Sequence, residues 1–252
     1  MNYALRFLGV GNAAATELGS SSVVIERDAA PLLMVDCGQE ALTAYLDHYG
    51  ATPKALLITH AHMDHVAGME RLFIRAFFDE ALRGRLRVYV PVTVLPHLQA
   101  RVADYPGALA EGTANFWDGF QVIPVSRGFW HGGLWFDVFP VRHHMPETAY
   151  GLRLRGSMVY SGDTRPIPEM LARYADADEL IAHDCALVGN PSHSGIDDLE
   201  REYSAALRAR LLLYHYESEA NGLALAQRGY RIAKSGDVIA LREPLPVETG
   251  AT

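Results

Sequence analysis

The sequence predicts an α/β fold whose β-sheets are covered on their outer faces by helices, and three observations lead there. At 252 residues the chain is long enough to bury a full core and requires no second domain. Short apolar runs of strand length are interspersed with helix-periodic segments, and the closing third alternates the two. Several of those runs, such as Ala55-Leu56-Leu57-Ile58, are apolar at successive positions rather than at every second one, the pattern of strands buried on both faces.

Taken in order, the first third reads as strands at 4–8, 22–26 and 32–35, then a helix over 39–49 that stops at Gly50. Pro53 resets the chain before a strand at 55–58. A helix over 69–81, a strand at 86–90 and a helix-like stretch over 94–104, ended by Pro106-Gly107, follow. Strands are expected at 120–125, 134–141, 150–154 and 157–161. The closing third alternates a helix at 168–174, a strand at 179–184, a helix at 197–208, a strand at 210–215, a helix at 223–227 and a strand at 238–241. No internal repeat or polar linker divides the chain, so residues 1–245 are expected to form one domain and 246–252 a loose tail. The aromatic stretch with Phe116-Trp117, Phe129-Trp130-His131 and Trp135 reads as core and loop packing, with a substrate-facing wall as the other reading.

Composition narrows the function. Apolar and charged fractions of 49% and 21% are those of a soluble globule, no apolar run approaches membrane-spanning length, and cytoplasmic placement is expected. Two cysteines, Cys37 and Cys185, make no disulfide framework. A formal net charge of −8 disfavours long nucleic acid as a substrate, because backbone binding needs a basic face. The segment Gly9-Val10-Gly11-Asn12-Ala13-Ala14 loosely matches a dinucleotide fingerprint, but a turn and a strand follow it instead of a helix, so nucleotide-cofactor binding is rejected.

The chemistry concentrates in Thr59-His60-Ala61-His62-Met63-Asp64-His65, directly after a buried strand. So many metal-preferring groups at one strand end require a cation to offset their desolvation. In extended backbone His60 and His62 point to one face and can grip an ion as a pair, while Asp64 and His65 fall at the turn into the next helix. A single zinc takes about four ligands; two groups facing different ways suit two adjacent metals better.

This His-x-His-x-Asp-His pattern resembles the metallo-β-lactamase superfamily, which also carries a later His, Asp and His. All three occur in order, as His144 in His143-His144-Met145-Pro146-Glu147, Asp163 in Ser161-Gly162-Asp163-Thr164, and His215 in Leu213-Tyr214-His215. Phe7-Leu8-Gly9-Val10-Gly11-Asn12, Ser20-Ser21-Ser22 and Val35-Asp36-Cys37-Gly38 look like the start of the ribonuclease Z-like branch, which includes enzymes acting on small phosphodiesters. The resemblance spans residues 3 to 242 and implies a four-layer αββα sandwich: two β-sheets face to face with helices outside.

Carried over by position, it implies one metal on His60, His62 and His144, the other on Asp64, His65 and His215, and Asp163 bridging. The ions would be zinc, with manganese or iron as other candidates. His144 is preferred to His143 because in similar proteins the ligand lies seven residues before the glycine that stands here as Gly151. Asp36 is expected to hold the ligand loop by hydrogen bonds, and Thr164 to do the same for Asp163. His183-Asp184-Cys185-Ala186 and Ser192-His193-Ser194-Gly195 resemble the branch's acid elements, with Asp for Glu and Gly for Thr. They imply His193 as general acid, tuned by Asp184, or else a histidine that merely caps the next helix. Asp64 would also orient the nucleophile.

The resemblance therefore implies a dinuclear metal-dependent hydrolase with a metal-bridging hydroxide as nucleophile, acting on a small phosphodiester such as a cyclic nucleotide or sugar cyclic phosphate. Another ester, a thioester or a lactone is the second reading. A di-iron redox protein is disfavoured because such sets carry Glu where His62 stands, and tRNA 3′ processing because no basic arm appears. The partner is a small molecule, with no membrane. A homodimer is compatible with the sequence. His48 and His97 are expected at surface or core positions and His131 near the aromatic stretch.

Overall fold

The structure, a computed structural model, describes residues 1–104, 108–110 and 112–246. Two seven-stranded sheets build it. The first runs in the order Val238–Leu241, Tyr3–Gly9, Ser22–Arg27, Ala30–Val35, Ala55–Leu57, Leu86–Pro91 and Phe120–Val125. The second runs Arg231–Ile232, Leu211–Tyr214, Leu180–Asp184, Met158–Tyr160, Tyr150–Leu154, Leu134–Pro140 and Gly128–His131.

The sheets face one another through apolar side chains. Tyr89 of the first stacks on Phe129 of the second with centroids 3.9 Å apart, and Phe7 meets Tyr214 at 6.2 Å. Helices lie outside. Gln39–Tyr49 buries Ala41, Leu42 and Tyr45, and Met69–Phe77 buries Leu72, Phe73 and Ala76, while Tyr174 of helix Pro168–Tyr174 stacks on Phe139. Strands Ser22–Arg27, Tyr150–Leu154 and Leu211–Tyr214 are buried on both faces, which explains their continuous apolar runs.

Each sheet repeats one pairing order, three antiparallel pairs followed by three parallel ones, although the sequence contains no detectable repeat. The parallel halves matter for function, because side chains at the carboxyl ends of such strands converge on one crevice. Asp36 follows Ala30–Val35, the histidine motif follows Ala55–Leu57, and Asp163, Asp184 and His215 stand at the ends of the matching strands of the second sheet.

Some expected boundaries shift for local reasons. The helix expected over 69–81 ends at Phe77, where Asp79 starts a turn by accepting from Ala81 N at 2.8 Å. The helix expected over 197–208 is two helices, Ile196–Glu202 and Ala205–Arg208, because Tyr203 is extended and Ser204 caps the second. Strand Gly128–His131, not anticipated, pairs Trp130 with Trp135. The stretch expected over 94–104 is a short helix, Leu95–Leu98, continued by a wider π-helical turn, Gln99–Ala103. The stop at Pro106-Gly107 and residues 247–252 of the tail lie outside the described residues.

Glu179, only 2% exposed, fixes the start of the strand that ends in Asp184. It accepts from Arg153 Nη2 at 2.7 Å, Gly156 N at 2.6 Å and Asp176 N at 3.1 Å. Removing Glu179 would leave Arg153 with only the exposed Asp176, 2.6 Å from its Nη2, and two backbone N–H groups without that acceptor, at a cost of about 1–3 kcal/mol for each group left unsatisfied. Glu179→Ala is therefore expected to lower the thermal midpoint by roughly 10 °C at this chain size; a shift under about 3 °C in a thermal melt contradicts the assignment.

Candidate metal centre

Asp36 anchors the ligand loop to the first sheet. Its carboxylate accepts from Thr59 N and Thr59 Oγ1, both at 2.7 Å, and from His65 Nδ1 at 2.8 Å. Its backbone is left-handed, φ 62°, a conformation Asp tolerates better than most residues. Next to it Gly38 passes so close to the ligand helix that a Cβ there would lie 2.1 Å from Asp64 O.

Similar contacts turn the other imidazoles. Thr59 Oγ1 lies 3.1 Å from His60 Nδ1, the Ser192 carbonyl 2.9 Å from His143 Nδ1, and Asp184 Oδ1 3.3 Å from His215 Nδ1. The Nδ1 atoms of His60 and His143 are thereby hydrogen-bonded and that of His215 faces a carboxylate, while His143 Nε2 lies 3.0 Å from His62 Nδ1; fixing one ring nitrogen prepares the other to bind a cation. Inside, His60 Nε2, His65 Nε2, His215 Nε2 and both carboxylate oxygens of Asp163 are buried with no hydrogen-bond partner. Orphaned polar atoms cost about 1–3 kcal/mol each, and five at one point fit a metal.

The donors form overlapping clusters whose ligand atoms lie within 4.8 Å of one another; Asp36, His193 and Asp184 join some of them, while the groups His60–His62–His143 and Asp64–His65–Asp163–His215 share no residue. Asp163 Oδ2 stands between them, 3.1 Å from His65 Nε2, 3.1 Å from His215 Nε2 and 3.6 Å from His60 Nε2. Burial holds His60 well below the usual imidazole range and His143 down to about 4. Burial opposes charge on Asp163, but facing His215 and His65 outweighs it and keeps the carboxyl ionised. Burial also works against charge on His65 and His215, yet Asp163, with Asp36 and Asp184 behind, raises both above the usual imidazole range, so a cation taking their place would displace protons.

The two candidate histidines of the later segment are placed differently. His144 is exposed, bonds through Nδ1 to Thr148 Oγ1 and belongs to neither group, whereas His143, 1% exposed, sits with His60 and His62. Between His144 and Gly151 the backbone turns left-handed at Glu147, φ 58°, with its carbonyl held by Thr93 Oγ1.

Asp184 does for the second sheet what Asp36 does for the first. Its Oδ2 accepts from Thr164 N at 2.8 Å and lies 2.9 Å from His193 Nδ1. Asp184 and His193 are thus brought together at the cleft, and Gly195, not His193, begins the helix Ile196–Glu202. A Cβ at Gly195 would lie 2.1 Å from Gly189 N, so a larger residue has no room there.

Sequence reasoning gave no role to Thr59 or to the Ser192 carbonyl; the former sits inside the motif, the latter is backbone and leaves no signature. His183, buried, bonds to Tyr203 OH at 2.8 Å, and His131 to Tyr89 OH at 2.9 Å and Leu32 O at 3.0 Å, which are packing roles. Trp117, Trp130 and Trp135 do not line the metal cleft among the described residues, which favours packing for the aromatic stretch. No helix among the described residues is long and apolar enough to cross a membrane.

Known proteins are similar to this chain in sequence and in fold. The family described as Anti-Pycsar protein Apyc1 matches residues 3–239. A protein of that name from Paenibacillus harenae is 28% identical over 190 residues, covering 73% of this chain and 77% of its own. The metallo-β-lactamase fold protein YhfI from Bacillus subtilis superposes with a TM-score of 0.74 at 19% identity, over 95% of this chain and all (100%) of that one. A diphosphatase from the PhnP family gives 0.73 at 18% identity, over 98% and 100%. The fold is the αββα sandwich of the metallo-β-lactamase type.

His143→Ala is expected to lose about one metal per chain under the assignment above, whereas His144→Ala should keep the wild-type content. Elemental analysis showing the reverse would restore His144 as the ligand.

Proposed function

The chain belongs to the Anti-Pycsar protein Apyc1 family and is a metal-dependent hydrolase; from that premise we propose that it cleaves a small phosphodiester, a cyclic nucleotide or sugar cyclic phosphate, with two divalent ions. The observation that carries the reading is the five orphaned donor atoms around Asp163. His60, His62 and His143 would hold one ion, Asp64, His65 and His215 the other, with Asp163 shared. Zinc suits this imidazole and carboxylate set. Bound there, the ions lower the pKa of a water toward neutrality and offset charge on the phosphoryl oxygens.

The protein's own groups do the rest. Asp64, whose Oδ2 lies 3.4 Å from His65 Nε2 and 3.7 Å from His215 Nε2, orients the attacking water. His193, 20% exposed and held through Nδ1 by Asp184, presents Nε2 to the cleft and protonates the leaving oxygen. The cleft, about 560 Å³, has room for a small ester beside these groups. Only Arg101 among its lining residues is a Lys or Arg, which favours a small anion over a long one.

Metal-loaded protein should therefore turn over a bis-aryl phosphate, and Asp64→Ala should lower kcat/KM by about 10²-fold or more. Activity on thioesters or lactones with none on phosphodiesters would overturn the substrate class. His193→Ala should slow alkyl leaving groups by about 10²-fold more than activated aryl ones, since only the former need a proton; equal slowing of both removes His193 from the acid role.

A further inference from the structure

Arg101 shares the metal cleft with His62, Asp64, Asp163 and His193, and it is exposed. Two features shape the segment that carries it. The segment after helix Leu95–Leu98 widens into the π-helical turn Gln99–Ala103, which carries an extra residue per hydrogen-bonded level and so rotates the side chains that follow. The Gln99 side chain pins this turn, its amide nitrogen donating to Asp104 Oδ1 and its oxygen accepting from Trp117 Nε1. Val102 and Ala103 then fill the core, and Arg101 is left on the cleft side.

Its surroundings are acidic. Glu40, Asp64 and Asp163 line the same cleft, yet Arg101 forms no ion pair with them or with another carboxylate among the described residues. A guanidinium placed among carboxylates but not spent on them is available to an anion, and its planar fork matches phosphoryl oxygens. Attack on a phosphodiester turns a monoanion into a group with two negative charges, so a cation beside the ions gains attraction as the reaction proceeds.

We propose that Arg101 is a substrate-binding residue of this cleft, gripping a non-bridging phosphoryl oxygen through its guanidinium. The role rests on the phosphodiester reading for its catalytic part and on anion binding alone for the rest.

The test uses metal-loaded wild type, Arg101→Gln and Arg101→Lys. Affinity for inorganic phosphate is measured by calorimetry, kcat/KM on bis(p-nitrophenyl) phosphate, and metal content and thermal midpoint on each protein. Arg101→Gln should weaken phosphate binding about tenfold or more and cut kcat/KM by about ten- to a hundredfold, as loss of a charge-assisted hydrogen bond does. Metal content and midpoint should not move, and Arg101→Lys should recover part of both losses by restoring the charge without the fork. Phosphate affinity and kcat/KM within about twofold of wild type in Arg101→Gln overturn the proposal. If wild type turns over no phosphodiester yet Arg101→Gln still loses phosphate affinity, the substrate reading fails and the anion-binding role stands; if wild type binds no phosphate, the proposal falls.

Discussion

Everything at the centre of this molecule answers to one constraint, the carboxylate of Asp163 buried with both oxygens unpaired against three inward-facing imidazole nitrogens. A lone buried carboxylate protonates or finds a cation. Here the neighbours are imidazoles whose other nitrogens are already engaged, so the site is completed by metal rather than by further protein donors. Stability and function are coupled at that point. An ion that binds only the folded chain adds its binding free energy to folding.

Two further buried carboxylates hold the ligands in place, one from each sheet. Asp36 ties Thr59 and His65 to the first sheet, and Asp184 ties Thr164 and His193 to the second while facing His215. The repeated pairing order of the sheets puts both at the carboxyl ends of parallel strands, so the same crevice receives ligands from two directions. This arrangement also brings His193 against the centre, with its Nδ1 engaged by Asp184 and its ring stacked 4.8 Å from that of His215.

How much of this was legible in the sequence depends on how local each cause is. His60, His62, Asp64 and His65 were readable because a strand end and a turn place them by spacing alone, and the strand assignments held wherever both faces are buried. The choice between His143 and His144 was not, since their segment kinks at the left-handed Glu147, whose carbonyl is held by Thr93 in the turn after strand Leu86–Pro91. The break at Tyr203 was equally hidden: its hydroxyl accepts from Ile167 N at 2.8 Å and meets His183 Nε2 at 2.8 Å, long-range contacts that no helical periodicity encodes. The π-helical turn belongs to the same class, set by Trp117 reaching Gln99 across the fold.

The acidic character of the chain and an anionic substrate are compatible because the two fields act over different distances. A net charge of −8 repels a polyanion along its whole length. Screening confines exposed charges to about 8 Å at physiological salt, so a small diester that enters the cleft meets chiefly what lines it. There divalent ions, once bound, would outweigh Asp64 and Asp163. Arg101 adds positive charge on a wall that Glu40 otherwise makes negative. A long strand would have to bring its remaining phosphates past the acidic exterior with no basic track to receive them, so the charge pattern favours small substrates without any steric gate.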